Sequence, residues 1–401
     1  MPEDRLPLPE FNGLSEARQT LPREVYTDPL QHRRDLEAIW YRQWLYVCHG
    51  AALEGPRAFR VFEIGDQSVV VVRDREGALR AFHNTCRHRG SRLCLEREGR
   101  LPANALTCPY HSWTFGLDGR LRGVPSRWTP PDFDKADYGL FPVAVTEWRG
   151  LVFVNLEGGA EQTMEESFGR DPDALVHWPL ETLRLVETYR RELACNWKLF
   201  WENFNECLHC PNLHPELSQR MPIYGRGLMS QKDAHDWSAR AESSDPRDRG
   251  GLAEGDLTWS MDGRSQPETF AGLSEEERRR GATFMVSMPS CFIVGHLDYM
   301  RIVRLRPLAA DRMELQAEWF FPAEAAARPG FDPSPQVDFA KTVLEQDAFA
   351  CEINQRGLSA RPYAAGVLMP EEYYLAAFHD WYREALARAA RPADQGSGGP
   401  G

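Results

Sequence analysis

The chain of 401 residues is 42% hydrophobic and contains 12 Trp and 20 Phe, enough to bury one or two substantial cores. Its formal net charge of -12 argues against a nucleic-acid or anionic-membrane surface, because such surfaces need clustered Lys and Arg. No run approaches the roughly 18 apolar residues of a membrane span, and the N-terminus lacks the cationic and apolar regions of a signal segment. We therefore expect a cytoplasmic globular protein whose nine cysteines are reduced thiols, with no disulfide framework.

The first part of the chain predicts a helix followed by a small antiparallel β domain. The pattern from Tyr26 to Trp44 is helical, and we assign residues 1–44 to an N-terminal helical segment that packs on a later domain. Short β-type runs separated by turns follow, and the last is TEWRGLVFVNLEGG at 146–159. Residues 45–156 are therefore predicted to form the β domain.

The rest of the chain mixes strands with longer helices. Helical signals are strongest at 195–217 and 336–358, and the strand candidates are ATFMVSMP and RMELQAEWFFP. A polar segment at 231–256 is interpreted as an exposed insertion. Strands and helices in separate blocks predict an α+β catalytic domain over 157–390, and the tail at 391–401 is predicted to be disordered.

Two Cys-His pairs lie on loops of the predicted β domain. Cys86 and His88 are separated by one residue, whereas Cys108 and His111 are separated by two. A structural zinc site or a redox dithiol is an alternative, but the first pair is too tight for the common C-x-x-C knuckle. A Rieske [2Fe–2S] centre fits better, because two thiolates bind one iron, two imidazoles bind the other, and each loop supplies one of each.

A second group of candidate ligands lies in ENFNECLHCPNLHPEL. Asn196 is the predicted N-cap of a helix that Pro211 stops or kinks. On this helix Glu206 and His209 are three residues apart on one face, and His214 follows just after the break. Two neutral imidazoles supply two thirds of a facial triad for non-haem Fe(II), which leaves positions open for dioxygen.

The carboxylate of such a triad is expected in the late helix KTVLEQDAFACEINQ. Asp347 shares a stripe with Leu344 and Cys351, whereas Glu345 belongs to a charged stripe that faces solvent. An Asp on an apolar stripe is costly unless it binds a positive group, and iron would be such a group. We predict Asp347 as the ligand, with Glu345 as the second choice.

Two cysteines flank the first histidine of this group. Cys207 and Cys210 have the spacing of a redox C-x-x-C motif. Their helical positions point inward, and we interpret them as small apolar groups with a structural role.

The segments CRHRG and CPYHSWTF, with Tyr110 and Trp113, resemble the Rieske domain of the ring-hydroxylating oxygenase α subunits, a family of Rieske non-haem iron oxygenases. From about residue 40 to 385 the chain is most similar to the branch that contains glycine betaine demethylases and choline and carnitine oxygenases. The resemblance implies a Rieske domain beside a helix-grip-like α+β catalytic domain. It also agrees with Asp347 as the third iron ligand, since the family has an Asp before a sequence like CEINQRGL.

The resemblance assigns a separate role to Glu206. In the family, an acidic residue at this place links an iron-bound histidine to a cluster-bound histidine of a neighbouring subunit. Carried over, Glu206 would connect His209 to His88 or His111 across a subunit interface and orient the imidazoles. This implies a ring of subunits, most often a homotrimer.

The resemblance further implies an oxygenase that receives NAD(P)H electrons through a separate flavin-containing reductase, because the chain has no Rossmann or flavin fingerprint. One oxygen atom would enter a C–H bond and the other would leave as water. The expected reaction is oxidative N-demethylation of a quaternary or methylated amine such as glycine betaine. The alternatives are hydroxylation or cis-dihydroxylation of an aromatic acid, a non-catalytic Rieske electron carrier, and a zinc-stabilised binding module.

A trimethylammonium group would be held by aromatic faces through cation–π attraction. For each aromatic side chain, packing in the core is the alternative interpretation. The candidates are Trp201, Phe204, Trp237, Trp259 and Tyr299.

Overall fold

The computed structural model describes residues 11–157, 163–169 and 172–391. The segment expected to be a disordered tail, residues 391–401, lies outside these ranges except for its first residue. Within the described ranges, no helix has the length and apolar character needed to cross a lipid bilayer.

Two short helices replace the single helix expected between Tyr26 and Trp44. After a short strand, β1 (Arg18–Gln19), they are α1 (Glu24–Thr27) and α2 (Pro29–Ala38). The prediction of one continuous helix was wrong at Asp28, whose side chain accepts the N–H of Leu30 at 2.8 Å and caps the second helix. Pro29, at the first position of α2, has no N–H with which to continue α1.

The β domain consists of two antiparallel sheets. Its strands are β2 (Leu45–His49), β3 (Ala58–Ile64), β4 (Gln67–Arg73), β5 (Leu79–His83), β6 (Glu98–Arg100), β7 (Ala105–Thr107), β8 (Thr114–Gly116), β9 (Leu121–Gly123), β10 (Pro142–Trp148) and β11 (Leu151–Asn155). The larger sheet has the order β2-β11-β10-β5-β4-β3-β6, and the smaller has the order β7-β8-β9. The turn between β3 and β4 contains Gly65 at a φ of 56°, a conformation that glycine adopts without steric cost.

A five-stranded antiparallel sheet forms the centre of the second half. Its strands are β12 (Arg184–Leu193), β13 (Thr283–Ser287), β14 (Cys291–Gly295), β15 (Met300–Ala309) and β16 (Arg312–Phe321). Their order is β12-β16-β15-β14-β13, and a further strand, β17 (Val367–Leu368), pairs with β1. The two predicted strands, ATFMVSMP and RMELQAEWFFP, are confirmed as β13 and β16.

Helices flank this sheet. They are α3 (Trp197–Phe204), α4 (Cys210–Leu213), α5 (Pro215–Arg220), α6 (Pro246–Arg249), α7 (Glu275–Arg280), α8 (Ala323–Ala327), α9 (Ser334–Leu358) and α10 (Tyr373–Ala389). The long helix predicted at 336–358 is confirmed as α9. The combination of antiparallel sheets with helices agrees with the predicted α+β class.

The helix predicted through residue 211 ends earlier than expected. Asn196 is its N-cap, as predicted, and accepts the N–H of Lys198 at 3.0 Å. Asn205 ends α3, because its backbone N–H and its side-chain Nδ2 both donate to the carbonyl of Trp201. Residues 205–209 are therefore not helical, and the prediction that Glu206 and His209 share a helix face was wrong.

The main core lies between one face of the five-stranded sheet and the helices α3 and α9. Phe292 of β14, Trp319 of β16 and Leu344 of α9 belong to it. Helix α2 joins this core through Asp35, which forms a fully buried ion pair with Lys198 of α3. The N-terminal helices therefore fix the position of α3, whose C-terminal end leads directly into the group of candidate ligands.

The polar segment at 231–256 is not a simple exposed insertion. Asp233 and Trp237 are buried, and Asp233 accepts the backbone N–H groups of Met229 and Ser230 at 3.0 and 2.7 Å. Its composition is polar because many side chains form local ion pairs at the surface, such as Arg247 with Asp245. The segment therefore packs on the catalytic domain.

Candidate metal centres and active site

The two loops that carry the Cys-His pairs share one backbone geometry. In each loop the cysteine N–H donates to the carbonyl five residues later at 2.8 Å. The N–H four residues after the cysteine donates back to the cysteine carbonyl at 3.0 Å. The residues at that fourth position, Gly90 and Ser112, have positive φ angles of 78° and 56°. Backbone hydrogen bonds therefore fix both loops in matching tight turns.

The side chains of these loops separate sulfur from nitrogen. Cys86 and Cys108 are each only 2% exposed, whereas His88 is exposed and His111 is half-buried. The two imidazole rings lie 4.8 Å apart between centroids, and Trp113 stacks on His88 at 4.9 Å. A pair of buried thiols beneath a pair of outer imidazoles is the donor set of a Rieske cluster, so the residues present fit this group.

The pKa values of the two thiols shift in opposite directions. Burial raises the pKa of Cys86. Burial also acts to raise the pKa of Cys108, but backbone N–H groups of Tyr110 and His111 outweigh it and lower that pKa. The loop around Cys108 therefore favours the thiolate, the form that binds metal.

The second group of candidate ligands converges on one point from three separate elements. His209 precedes α4, His214 lies between α4 and α5, and Asp347 lies on α9. Asp347 Oδ1 is 2.9 Å from His214 Nε2 and 3.4 Å from His209 Nε2. Two imidazole nitrogens and one carboxylate oxygen therefore face a common position, an arrangement that fits the facial triad of non-haem iron.

Hydrogen bonds on the far side of each imidazole fix the direction in which the rings point. His209 Nδ1 is 2.5 Å from Glu206 Oε1, and His214 Nδ1 is 2.7 Å from Gln346 Oε1. Gln346 is held in turn by donating from Nε2 to Glu216 at 2.9 Å. With each Nδ1 beside an oxygen acceptor, each Nε2 is directed towards Asp347 and is the nitrogen that a bound metal would take.

Electrostatics link the histidines to the carboxylates. Burial lowers the pKa of His209, but hydrogen bonds to Asp347 and Glu206 outweigh it and raise this pKa to about 9. Burial raises the pKa of Asp347, but hydrogen bonds from His209 and His214 lower it to about 2. In the metal-free chain, protonated His209 therefore supplies the positive charge beside Asp347 and Glu206 that a bound metal ion would supply.

Cys207 and Cys210 form a disulfide, which corrects the expectation of reduced thiols packed as apolar groups. The bond became possible because the chain leaves the helix after Phe204 and turns between the two cysteines. Cys210 Sγ lies 3.9 Å from His209 Nε2. A disulfide sulfur offers no thiolate to a metal, so Cys210 is not included among the candidate ligands.

A cavity of about 1130 Å³ opens onto this centre. Glu206, His209, His214 and Asp347 all line it. Seven further lining residues lie in or beside the polar segment, which thus covers one side of the cavity: Met229, Ser230, Gln231, Lys232, Arg249, Gly250 and Gly251.

Two of the five aromatic candidates line the cavity, namely Phe204 and Trp259. Trp201, Trp237 and Tyr299 are not among its lining residues and are buried in the protein, which corrects their assignment to the pocket. Trp201 donates from Nε1 to the carbonyl of Pro289 at 2.9 Å, and the Tyr299 hydroxyl donates to the carbonyl of Trp259 at 2.8 Å. These polar contacts hold both rings behind the cavity wall.

Several residues of the site were not selected from the sequence. Gln346, which orients His214, is adjacent to Asp347 and could have been found by asking what holds each imidazole. Asn203 Nδ2 lies 3.3 Å from His209 Nε2. Phe284 and Phe292 line the cavity from β13 and β14. Their positions depend on strand pairing between distant segments, which no local spacing reveals.

Two family profiles match the chain. The profile described as ring hydroxylating alpha subunit (catalytic domain) matches residues 180–388, and the profile of the Rieske [2Fe-2S] domain matches residues 43–134. Together they cover both groups of candidate ligands completely. The first group lies within the Rieske match and the second within the catalytic match.

Similar proteins include oxygenase subunits of two monooxygenases. The glycine betaine monooxygenase oxygenase subunit of Chromohalobacter salexigens is 29% identical over 389 residues, which cover 92% of this chain and 86% of that protein. The carnitine monooxygenase oxygenase subunit of Escherichia coli (strain K12) is 34% identical over 218 residues, which cover 54% of this chain and 58% of that protein.

Solved structures show the same fold. The quaternary ammonium Rieske monooxygenase CntA, in complex with the substrate gamma-butyrobetaine, superposes with a TM-score of 0.71 at 22% identity, covering 94% of this chain and 96% of that chain. Naphthalene 1,2-dioxygenase from Rhodococcus sp. superposes with a TM-score of 0.67 at 19% identity, covering 93% and 95%. The predicted fold class, a Rieske domain beside an α+β catalytic domain, is confirmed.

These matches identify the class of enzyme and its cofactors. The cofactors are a Rieske [2Fe–2S] cluster and a mononuclear non-haem iron, as predicted. The interpretations as an electron carrier or a zinc-stabilised module are not supported, because the match to the catalytic domain covers half of the chain. The chain belongs to the ring-hydroxylating α subunits, the oxygenase components of the Rieske non-haem iron oxidoreductases.

Proposed function

We propose that this oxygenase removes a methyl group from a quaternary or methylated amine by oxidative N-demethylation. The observation that carries the proposal is the cavity of about 1130 Å³, at which the candidate iron ligands meet aromatic walls. The relatives named for glycine betaine and carnitine, and the complex of CntA with gamma-butyrobetaine, support the same substrate class.

We assign the metal ligands as follows. The [2Fe–2S] cluster is held by Cys86, His88, Cys108 and His111. The mononuclear iron is held by His209, His214 and Asp347. When bound, the cluster supplies single electrons and the mononuclear iron supplies the activation of dioxygen.

The residues of the cavity hold the substrate cation. Phe204 stacks on Phe292 with ring centroids 4.3 Å apart, and Phe284 lies 6.0 Å from Trp259. These faces offer π density to a trimethylammonium group without requiring a hydrogen bond, which such a group cannot donate. The candidate ligands His209 and His214 line the same cavity, so an N-methyl carbon bound there shares the cavity with the proposed iron site.

The proposed reaction replaces one C–H bond of an N-methyl group by C–OH. The C–N bond of the resulting carbinolamine then breaks and releases formaldehyde, the demethylated amine and a proton. The second oxygen atom leaves as water, and NAD(P)H supplies the two electrons through a separate flavin-containing reductase.

Glu206 is proposed to connect the two metal sites of neighbouring subunits. Its Oε1 contacts His209, and its side chain is mostly buried. Among the described residues of one chain, no hydrogen bond joins Glu206 to His88 or His111, so such a bridge requires a second chain. We therefore propose a homotrimer, or a multiple of it, in which one subunit's cluster serves the next subunit's iron.

We also propose a cytoplasmic location, where such a reductase and reduced thiols would be found. Seven of the nine cysteines form no disulfide, two of these being the proposed cluster ligands, whereas Cys207 and Cys210 are paired. Free thiols are typical of proteins kept in a reducing compartment.

The test is formaldehyde release coupled to oxygen uptake, with a generic flavin-containing reductase. The substrates are glycine betaine, carnitine, stachydrine and simple aromatic acids. Formaldehyde formed in equal amount to consumed oxygen supports the proposal. If an aromatic acid alone is converted, to a phenol or a cis-diol, the reaction is ring hydroxylation and N-demethylation is wrong.

A further inference from the structure

One buried arginine faces the cavity without a partner. Arg301 of β15 is 5% exposed and lines the cavity beside the candidate iron ligands. Its guanidinium makes no hydrogen bond and no ion pair with any residue that the structure describes, and its Nε is fully buried. Such a charge is costly to bury, because nothing compensates the hydration that the guanidinium has lost.

The next arginine on the same strand, Arg304, does not line the cavity and does have partners for its charge. Arg304 is also removed from solvent, but it donates to the side chain of Gln316 at 2.7 Å and to the carbonyl of Val47 at 3.2 Å. It also lies 3.7 Å from Glu314. The protein thus provides acceptors for the two terminal nitrogens of Arg304, although its Nε has none, and leaves the whole guanidinium of Arg301 free for a group from outside.

No carboxylate among the residues that the structure describes takes this role. The negative charge of Asp347 acts on Arg301 from beyond ion-pair distance, where it favours the charged guanidinium. Asp347 is itself directed at His209 and His214, and it is the carboxylate assigned to iron. The charge of Arg301 therefore stays unbalanced until an anion enters the cavity.

A second donor without a partner lies in the same wall. Trp259 lines the cavity, and its buried Nε1 makes no hydrogen bond. Its ring lies 6.0 Å from that of Phe284. Strand register connects this point to the arginine, because Phe284 pairs with Val294, which in turn pairs with Arg301. Trp259 therefore lies beside Phe284, which belongs to the same cross-strand row as Arg301.

We propose that Arg301, assisted by Trp259 Nε1, binds the carboxylate of the substrate. The guanidinium fork matches two carboxylate oxygens, and binding would satisfy a buried charge and a buried donor together. This inference rests on the proposed function and narrows its substrate class to a zwitterion. The methylated ammonium end meets the aromatic faces, and the acid end meets Arg301.

The charge balance also explains what the site rejects. A zwitterion adds no net charge to the cavity and neutralises Arg301 locally. A cation without a carboxylate, such as choline, would place a second uncompensated positive charge beside the guanidinium. We therefore expect the cavity to prefer glycine betaine to choline, although both carry the same trimethylammonium group.

The test measures equilibrium binding to the iron-loaded enzyme without oxygen or reductase, so that turnover plays no part. The probes are glycine betaine and gamma-butyrobetaine, choline as the cation without a carboxylate, and benzoate as the carboxylate without a cation. In Arg301→Gln we expect the dissociation constants of the two betaines to rise by about 30-fold, the effect of losing hydrogen bonds to a charged group. Choline binding should change by less than about threefold or become tighter.

Arg306→Gln is the matched control. Arg306 lies on the same strand, does not line the cavity and pairs with Glu314 at 3.1 Å, so its loss should leave all four dissociation constants within about threefold of the original enzyme. Arg301→Lys keeps the charge and loses the fork, and should give intermediate binding. The visible absorption of the cluster reports whether each variant is folded and loaded.

Three outcomes would overturn the inference. They are unchanged betaine binding in Arg301→Gln, equal weakening of betaine and choline, and equal affinity of the unmodified enzyme for betaine and choline. The last comparison needs no variant and stands even if Arg301→Gln fails to fold. If benzoate binds through Arg301 and the betaines do not, the carboxylate site is correct and the proposed N-demethylation is wrong.

Discussion

The two candidate metal centres are built in contrasting ways. The Cys-His loops lie on short turns within one small domain, and backbone hydrogen bonds to the cysteines fix them. The second centre joins a non-helical segment, an interhelical turn and a distant helix, and side chains such as Glu206 and Gln346 orient its imidazoles. A local loop can preserve the first centre, whereas the second depends on the packing of the whole catalytic domain.

Among the changes that test this contrast between the two centres, removal of a cluster thiol should have the largest effect on metal content and turnover. In Cys86→Ser we expect complete loss of the cluster's visible absorption and of turnover, because a serine hydroxyl does not replace a buried thiolate ligand. The control is Cys94→Ser, which changes another buried cysteine in the same core. Retained absorption in the first variant, or its loss in the control, would refute the assignment.

The second prediction concerns the mononuclear iron alone. Asp347→Ala should lose that iron but keep the cluster, and turnover should fall by more than the roughly 100-fold typical for partners of ligands. Iron analysis and the cluster's absorption separate the two centres. Glu345→Gln changes the neighbouring acid, which pairs with Arg191 on the outside of α9, and should keep its iron. Iron loss in this control instead would favour Glu345 as the ligand.

A smaller effect is expected for the proposed bridge. Glu206→Gln should keep both metals and reduce multiple turnover by about 10–100-fold, because the amide cannot provide the charged acceptor that orients His209. A single turnover of pre-reduced enzyme should be less affected than steady-state turnover. Glu276→Gln removes another cavity carboxylate and serves as control. Normal steady-state turnover in Glu206→Gln would remove the bridge from the mechanism.

The last prediction is a pH dependence of iron binding, which is modest for any single pH unit. The pKa of His209 is raised from 6.5 to about 9, so its proton stabilises the iron-free fold fully below pH 6.5 and this contribution is lost as the pH rises through 9. Iron must displace that proton, and its apparent affinity should rise by about tenfold per pH unit between pH 6.5 and 8.5. Anaerobic titrations with Fe(II) measure the slope. A flat profile would show that no proton is displaced.

The first centre could be predicted from the sequence because its ligands lie within short, patterned loops. The Cys-His spacing indicates a donor set directly, and the structure keeps both thiols buried and the two imidazoles next to each other. Asp347 could be selected by helix periodicity, since α9 forms as one continuous helix. Its meeting with His209 and His214 could not be deduced from local pattern alone.

The rest of the second centre depends on interactions that a local pattern does not contain. The helical pattern continues past Phe204, but the side chain of Asn205 satisfies the end of α3 and releases the segment that carries Glu206. Trp201 and Tyr299 are aromatic, as the residues of a cation-binding pocket would be. Their polar atoms, however, donate to backbone carbonyls behind the wall of the cavity. In the sequence, Arg301 is a charged residue within a strand, and only the fold shows that it faces a cavity.

The segment that covers the cavity has a further consequence for how such enzymes diversify. Residues 229–232 and 249–251 line the cavity, yet none of the proposed metal ligands lies among them. Exchanges in this cover can reshape the entrance while the redox machinery is inherited unchanged. Selection for a new substrate can therefore act on this segment and leave the oxygen chemistry intact.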